Sequence, residues 1–446
     1  MTDVSPLVEI ERAVLDRAQG IALDMGGLDG RARLRGLVED EVARWSSDFK
    51  RGLRAFDLAD PGTVTERAHR NLCGYGPLEP LLADDDVWEV MINAPDEIFV
   101  KRHQGPSGYH DEVFHDDAHV VRTLTKVLDD ASGAHRTLDP AEGLQDAQLD
   151  DGSRLHIVHQ DIARGGHVMA NIRKFTGVVF HDLDQLVARD MLSRPVAAFL
   201  AACVRSRLSM VVAGAPGSGK TTMLSCCAAE LDPHLRVVTA EEVLEISIPL
   251  PNVAALQTRP ARPDRPAVDL RRLVAGFLRM APDVAIVGEV RDREALPLLL
   301  TLSSGVKGFT TIHAGSARQA LSRLRFVCQL SESDLPLPAL NSLVTEAIDV
   351  VVHCARTPAG PRVTEVIAVE DMAASPDSAA FTVTDVFRRG GIDGPLRWTG
   401  QLPQRLEGPL RDAGFDLRAL LDDGPGLPPA PPGAAPAAPA LLGSGR

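Results

Sequence analysis

A glycine-rich run between an apolar strand and a helical stretch constrains the fold of this chain more than any other feature. The run reads SMVVAGAPGSGKTTML, from residue 209 to residue 224. It contains the pattern GxxxxGK[ST] in the strand–turn–helix context that the pattern requires. Glycines let the backbone curl so that several N–H groups point inward, and the start of the helix adds the positive end of its dipole. The run therefore predicts a phosphate-binding loop within an α/β fold.

The loop predicts both a nucleotide and a metal ion as ligands. Lys220 is expected to bring positive charge to the β- and γ-phosphates, and the hydroxyl of Thr221 to ligate Mg²⁺. The chain has 6 Lys against 41 Arg, which gives a lysine inside a motif particular weight. The predicted cofactors are ATP and Mg²⁺. The predicted nucleotide-binding residues are Gly214, Ala215, Pro216, Gly217, Ser218, Gly219, Lys220, Thr221 and Thr222.

Hydrolysis also needs carboxylates, and two further strands end in acids. The run VAIVGEVR over residues 284–291 places Glu289 in the magnesium-shell role, although Gly288 stands where an aspartate is commonest. In open parallel sheets, ligands bind at the carboxyl ends of the strands. The run RVVTAEEVLEIS delivers three acids there, of which Glu245 is the preferred general base and Glu241 the second choice.

A fourth strand ends in a histidine. The run GFTTIHA covers residues 308–314 and presents His313, whose imidazole could sense a bound phosphate. Taken alone, a histidine in this position is more often packed in the interior. Its place after three other strand ends of the same kind adds it to the predicted catalytic set.

Composition excludes several classes of protein. The formal net charge of -14 argues against broad, sequence-independent binding to nucleic acid, which requires a basic surface. The six cysteines form no CxxC pair, so neither a zinc site nor a disulfide framework is indicated. No run of residues has the roughly 18 apolar positions that span a bilayer, and the N-terminus does not resemble a signal peptide. A soluble protein of the reducing cytoplasm is expected.

Changes in texture along the chain predict five regions. Residues 1–65 read as a helical N-terminal segment, 66–177 as a mixed α/β domain and 178–195 as a linker. Residues 196–390 alternate strands and helices, which predicts a parallel sheet with a β-rich C-terminal extension. Residues 391–446 read as an irregular region with a disordered tail rich in Pro and Ala. The core strands are predicted at 210–213, 236–239, 284–287, 309–312 and 349–353.

Further motifs carry a resemblance to a known family. The chain contains GPLEPLL, VMINAPDEIFV, DGSR and IRKF before the glycine-rich loop, and RMAPDVAIVGEVRDREAL and TTIHAGSARQALSRL after it. With these motifs it resembles the type II/IV secretion ATPase superfamily, and within it the CpaF/TadA branch that powers Tad (Flp) pilus assembly. The likeness covers residues from about 70 to 370.

The resemblance implies an architecture and several residue roles. It implies a RecA-like ATPase domain over 196–390, preceded by a smaller N-terminal domain, in a homohexameric ring with nucleotide held between the two domains. Glu245 matches the catalytic glutamate, while Arg154 and Arg173 match N-terminal-domain positions that reach the phosphates. Glu242 stands where the family has an aspartate. The four-cysteine zinc element of other branches is absent, which supports the CpaF/TadA branch.

The implied function is an ATP-hydrolysing motor at the cytoplasmic face of the membrane. It would act peripherally, through inner-membrane platform proteins of a pilus or secretion system and without direct contact with nucleic acid. A close alternative is the ATPase of a conjugative or type IV secretion channel. A RecA-like nucleic-acid motor is the alternative of another class, disfavoured by the acidic charge. A binding-only scaffold is disfavoured by the intact Lys220, Thr221, Glu245 and Glu289.

Overall fold

The structure is a computed structural model of the chain. It describes residues 5–21, 23, 27–102, 105–131, 138–174, 180–259, 265–331, 335–371, 381–391 and 394–422. The chain is divided into two compact units, Met1–Gly177 and Val178–Arg446. The tail predicted to be disordered, residues 424–446, lies outside the described residues. Among the helices of those residues, none combines the length and the apolar character that crossing a bilayer requires.

Three helices open the first unit, and their spacing follows the apolar periodicity of the sequence. They are α1 (Pro6–Gly20), α2 (Leu28–Lys50) and α3 (Pro61–Cys73). Leu7, Ile10 and Val14 share one face of α1 and pack in a core with Leu34 and Val38 of α2. Helix α3 begins at an aspartate cap and continues past residue 65, where the sequence predicted the helical segment to end.

A six-stranded antiparallel sheet forms the rest of the first unit. Its strand order is β3-β2-β1-β6-β5-β4. Buried and exposed residues alternate along its strands, so one face of the sheet is apolar. That face packs on helix α5, where Val90 and Ile172 of the sheet share a core with Leu124 of the helix. The elements are α4 (Leu78–Ala83), β1 (Val87–Ala94), β2 (Glu97–Arg102), β3 (Gly108–Tyr109), α5 (Asp117–Asp130), β4 (Leu144–Gln148), β5 (Arg154–Val158) and β6 (Met169–Arg173).

The second unit is built on a nine-stranded sheet. Its order is β15-β14-β13-β12-β7-β11-β10-β8-β9. The strands β12, β7, β11, β10, β8 and β9 are parallel to one another. The strands β12, β13, β14 and β15 pair with their neighbours in antiparallel fashion. The strands are β7 (Met210–Gly214), β8 (Val237–Glu241), β9 (Val253–Gln257), β10 (Val284–Val290), β11 (Lys307–Ile312), β12 (Val350–Thr357), β13 (Gly360–Val369), β14 (Val383–Arg389) and β15 (Leu396–Trp398). The five predicted core strands are all present.

Helices cover both faces of this sheet. Along the fully buried β7, Met210 and Val212 pack on one face while Val211 and Ala213 pack on the other. One face carries α6 (Leu183–Ala188), α7 (Arg194–Arg205), α8 (Lys220–Ala228), α13 (Gln404–Asp412) and α14 (Leu417–Leu421). The other carries α9 (Leu270–Ala275), α10 (Ala295–Ser303), α11 (Ala317–Leu330) and α12 (Leu337–Ala347). The expected α/β class is confirmed.

One prediction of irregular structure is wrong, and a helix lies within the predicted linker. The predicted linker at 178–195 contains helix α6, which begins where Asp182 accepts a hydrogen bond from the backbone N–H of Gln185 at 2.8 Å. The region predicted to be irregular from residue 391 contains β15, α13 and α14. Leu406 and Leu410 lie one helical turn apart on α13 and are fully buried. The helices in these segments are 6, 9 and 5 residues long, too short for periodicity alone to reveal them, yet packing on the sheet orders both.

Candidate functional site

The glycine-rich loop leaves the carboxyl end of β7 and runs into the start of α8. Gly214, Gly217 and Gly219 have φ angles of 152°, 70° and 84°, in the region that favours glycine. A Cβ on Gly214 would lie 2.2 Å from the carbonyl oxygen of Cys354 on the neighbouring strand β12. The loop therefore has the curled, closely packed backbone that its sequence predicted.

Lys220 lies at the first position of α8 and turns back over the loop. Its Nζ donates a hydrogen bond to the carbonyl oxygen of Ala215 at 3.0 Å. The same Nζ lies 3.3 Å from Nδ1 of His313. The residue is only 8% exposed, so its charge is held in the concave side of the loop. This is where phosphate oxygens would be bound by a loop of this kind.

His313 joins the glycine-rich loop to the acid of the next strand. It follows β11, which pairs with β7 on one side and β10 on the other. Its Nδ1 lies 3.2 Å from the carbonyl oxygen of Gly214, and its Nε2 lies 2.6 Å from Oε1 of Glu289. Both ring nitrogens are therefore used, and the imidazole bridges two of the predicted site segments.

Glu289 is held as an anion by two positive or proton-donating neighbours. Oε2 accepts a hydrogen bond at 2.6 Å from Arg291, and Oε1 faces His313. Burial alone would raise the pKa of Glu289, but the hydrogen bonds from His313 and Arg291 outweigh it and lower the pKa to about 2. The carboxylate is thus ionised at neutral pH and available to a cation shell.

Glu241 anchors the loop that follows β8. It is 3% exposed, and its Oε1 accepts hydrogen bonds from the backbone N–H groups of Glu245 and Ile246, each at 3.0 Å. Oε2 of Glu245 lies 3.4 Å from the hydroxyl oxygen of Thr221. Two of the predicted acids therefore have different surroundings. Glu241 faces its own loop, while Glu245 faces the glycine-rich loop.

The oxygen donors of this site suit a magnesium ion bound with a nucleotide. Mg²⁺ prefers hard oxygen ligands and usually takes one or two from the protein, with the rest from water and phosphate. Thr221 supplies a hydroxyl and Glu289 an ionised carboxylate, while Glu245 lies beside the hydroxyl. These donors fit the ion that the sequence predicted.

The glycine at position 288 has a structural reason. A Cβ there would lie 2.9 Å from Cγ of Glu241, so an aspartate would collide with the side chain that anchors the neighbouring loop. The carboxylate of Glu241, delivered from β8, occupies this space instead. The glycine at position 288 therefore leaves the space that the buried side chain of Glu241 needs.

Arg154 and Arg173, the arginines implied by the resemblance, lie on the sheet of the first unit. They are directly opposite each other on β5 and β6, and Glu89 on β1 lies opposite Arg173. Like charges that face each other across a strand pair destabilise a sheet. The pair therefore concentrates positive charge at one point of the sheet, with one carboxylate beside it.

Sequence reasoning gave no role to two arginines near the loop. Arg291 contacts Glu289, and the i, i+2 spacing of these residues on a strand would have been the signal, since such residues share a face. Arg356 on β12 donates to the carbonyl oxygen of Gly217 at 3.2 Å. For Arg356 there was no signal, because the contact depends on the pairing of β12 with β7.

Replacing Gly288 by alanine is expected to lower the free energy of unfolding by about 1–3 kcal/mol, the usual cost of overpacking. The new Cβ forces Glu241 to move, and the N–H groups of Glu245 and Ile246 lose their acceptor. Urea denaturation measures the effect. Gly390→Ala is the control, because a Cβ at Gly390 meets nothing within 4 Å. Equal stability of the two variants would contradict the packing arrangement.

Similarity to known proteins indicates a family for this chain. Residues 71–358 match the family model for "Type II/IV secretion system protein". A putative conjugal transfer protein of Mycobacterium tuberculosis is 33% identical over 306 residues, which cover 67% of this chain and 85% of that protein. The type IV secretion system protein PtlH of Bordetella pertussis is 30% identical over 302 residues, which cover 62% of this chain and 87% of that protein.

Among solved structures, the VirB11 ATPase from the Brucella suis type IV secretion system is similar in 65% of this chain and 94% of its own. The sequence identity is 26% and the TM-score is 0.35. The family assignment depends instead on the sequence match, which spans well over half of the chain and includes the glycine-rich loop, Glu289 and His313. This chain belongs to the type II/IV secretion system protein family.

Proposed function

We propose that this chain is an ATP-hydrolysing motor of a type II/IV secretion system. The observation that carries the proposal is the convergence of Lys220, His313 and Glu289, in contacts of 3.3 and 2.6 Å, at the ends of adjacent parallel strands. A loop that only bound phosphate would have no need of the ionised acid or of Glu245 beside Thr221. Membership of the family gives the proposal its second support.

Each residue has a role that follows from its surroundings. The backbone N–H groups of the glycine-rich loop and Lys220 bind the phosphates, and Thr221 and Glu289 hold Mg²⁺. Bound with ATP, the ion neutralises charge that develops on the transferred phosphoryl group. Glu245 orients the attacking water and accepts its proton, as a general base must lie within reach of that proton. Glu241 is a positioning residue, since its carboxylate holds the backbone at Glu245.

His313 is assigned to phosphate sensing. Its imidazole contacts Lys220 on one side and Glu289 on the other. An ATP γ-phosphate that draws Lys220 toward itself would remove one of these contacts and leave the imidazole with Glu289. Binding or loss of the γ-phosphate would in this way change the surroundings of Glu289 on β10, and through Glu289 those of Arg291.

We propose a homohexameric ring that drives Tad/Flp-type pilus assembly through an inner-membrane platform protein. The motifs around the glycine-rich loop support the pilus branch. The similarity to a putative conjugal transfer protein and to the type IV secretion system protein PtlH favours a second candidate, the ATPase of a conjugative or type IV secretion channel. Deleting the gene and scoring surface pili and conjugation frequency separates the two. Loss of pili with normal conjugation supports the first candidate, and the reverse supports the second.

Replacing Lys220 by alanine is expected to lower the steady-state ATPase rate by about two orders of magnitude, because a charge that meets the transition state is lost. The rate per subunit of the wild-type protein is expected to rise with protein concentration as rings assemble. Lys126→Ala is the control, since Lys126 forms a surface pair with Asp130. A rate that is negligible in the wild type, or equal in Lys220→Ala, would contradict the proposal.

We also propose that Arg154 and Arg173 bring positive charge to the nucleotide phosphates. Their opposed placement on the sheet supports this, because an anionic ligand would relieve the repulsion between them. Arg154→Ala and Arg173→Ala are each expected to lower kcat/KM for ATP about tenfold, as a charged contact is lost. Arg164→Ala, on the same unit, is the control. Unchanged kinetics in both variants would refute this role.

A further inference from the structure

An ion pair connects the strand of Glu289 to the loop of Glu245. Arg291 follows β10, and Glu242 follows β8. One guanidinium nitrogen of Arg291 lies 3.2 Å from Oε2 of Glu242, and the other lies 2.6 Å from Oε2 of Glu289. A planar guanidinium has donors on both sides, so one arginine can hold two carboxylates at a fixed separation. Lysine, with a single point charge, is not equivalent in this position.

Arg291 extends the line of contacts that starts at the glycine-rich loop. Lys220 contacts His313, His313 contacts Glu289, Glu289 contacts Arg291 and Arg291 contacts Glu242. These side chains come from the ends of four neighbouring strands, in the order β7, β11, β10 and β8. The loop after β8 is therefore tied to the loop after β7 through a continuous series of polar and charged contacts.

The loop after β8 depends on such ties because it has no regular structure over residues 242–250. Glu241 holds the N–H groups of Glu245 and Ile246, each at 3.0 Å. The carbonyl oxygen of Glu242 accepts long contacts of 3.3 Å from Gln257 and Thr258. The ion pair between Arg291 and Glu242 joins this loop to β10, and the charge of Glu245 also acts on Arg291.

The pair is suited to positioning more than to stability. The side chains of Arg291 and Glu242 are 45% and 49% exposed. Ion pairs with that exposure add little to the free energy of unfolding. A small displacement of a catalytic group, by contrast, has a large effect on rate. Loss of the pair is therefore expected to appear in turnover while the folded protein persists.

We propose that Arg291 and Glu242 form a strut that positions Glu245 for hydrolysis. Glu242 is thereby a positioning residue and not the general base. Its length matters, because an aspartate is shorter by one methylene and would hold its carboxylate farther from a guanidinium that Glu289 already contacts. The proposal rests on the proposed function, in which Glu245 is the base.

Steady-state kinetics on the full-length protein test the strut. Arg291→Ala and Glu242→Gln are each expected to lower kcat about tenfold, with the KM for ATP within about twofold of wild type. The double variant should lose no more than Arg291→Ala alone, because Arg291→Ala already removes the contact that Glu242→Gln removes. Glu242→Asp should fall between Glu242→Gln and wild type, and Arg291→Lys should recover part of the loss.

Matched controls separate the strut from a general loss of surface charge. Arg318, which is half-exposed, forms an ion pair with the less exposed Asp385 at the same distance, 3.2 Å, away from this loop. Arg318→Ala is expected to keep the wild-type kcat. Glu242→Gln also leaves the contact between Arg291 and Glu289 in place, so its effect reports on the strut alone. Wild-type turnover in Glu242→Gln, or fully additive losses in the double variant, would overturn the proposal.

A second readout does not depend on catalysis. Hydrogen–deuterium exchange of the peptide over residues 242–250 should be faster in Arg291→Ala and Glu242→Gln than in wild type, while the peptide over β7 stays unchanged. If wild type shows no ATPase activity but the exchange behaves in this way, the proposed function fails and the strut stands. If wild type hydrolyses ATP and the exchange of the loop is unchanged in both variants, the strut fails and the proposed function stands.

Discussion

The site depends on a bridging interaction, in which the imidazole of His313 contacts Lys220 on one side and Glu289 on the other. It exists because β11 lies between β7 and β10 in the sheet. Parallel strands bring their carboxyl ends to the same edge, so residues far apart in sequence meet there. Lys220 and Glu289 each contact this imidazole. The histidine converts a phosphate loop and an acidic strand end into one connected site.

The second constraint is the volume around Gly288. Glu241 extends over that glycine and uses its carboxylate to hold the loop that carries Glu245. A side chain at position 288 would displace Glu241, and the acid on this strand is supplied one residue later by Glu289. A side chain at one strand end thus determines which residue type the next strand can carry. On the more exposed side of the site, the ion pair between Arg291 and Glu242 likewise connects the end of β10 to the loop after β8.

Much of this arrangement was predictable from sequence, because its parts are local. The glycines of the loop have a backbone conformation that few other residues adopt, and the strands before Gly214, Glu289 and His313 are apolar runs of ordinary length. The order of strands and the opposition of Arg154 and Arg173 required pairing information that no local pattern contains. The hydrogen bonds by which Glu241 holds the backbone of its loop also came only from the structure, although the sequence already favoured Glu245 over Glu241 as the base. Strand β9 and helices α13 and α14 were missed because they are short, with 5, 9 and 5 residues, so that no helical or strand period can be read from them.

The central claim is that Glu245 acts as the base at a site which binds ATP through the loop at Lys220. The most direct test is Glu245→Gln, with ATP affinity and single-turnover hydrolysis measured on the same preparation. The structure predicts ATP affinity close to that of wild type, because Glu245 contacts the hydroxyl of Thr221 and not the loop backbone. It predicts hydrolysis lower by about a hundredfold or more, the usual contribution of a general base. Wild-type hydrolysis in this variant would contradict the claim.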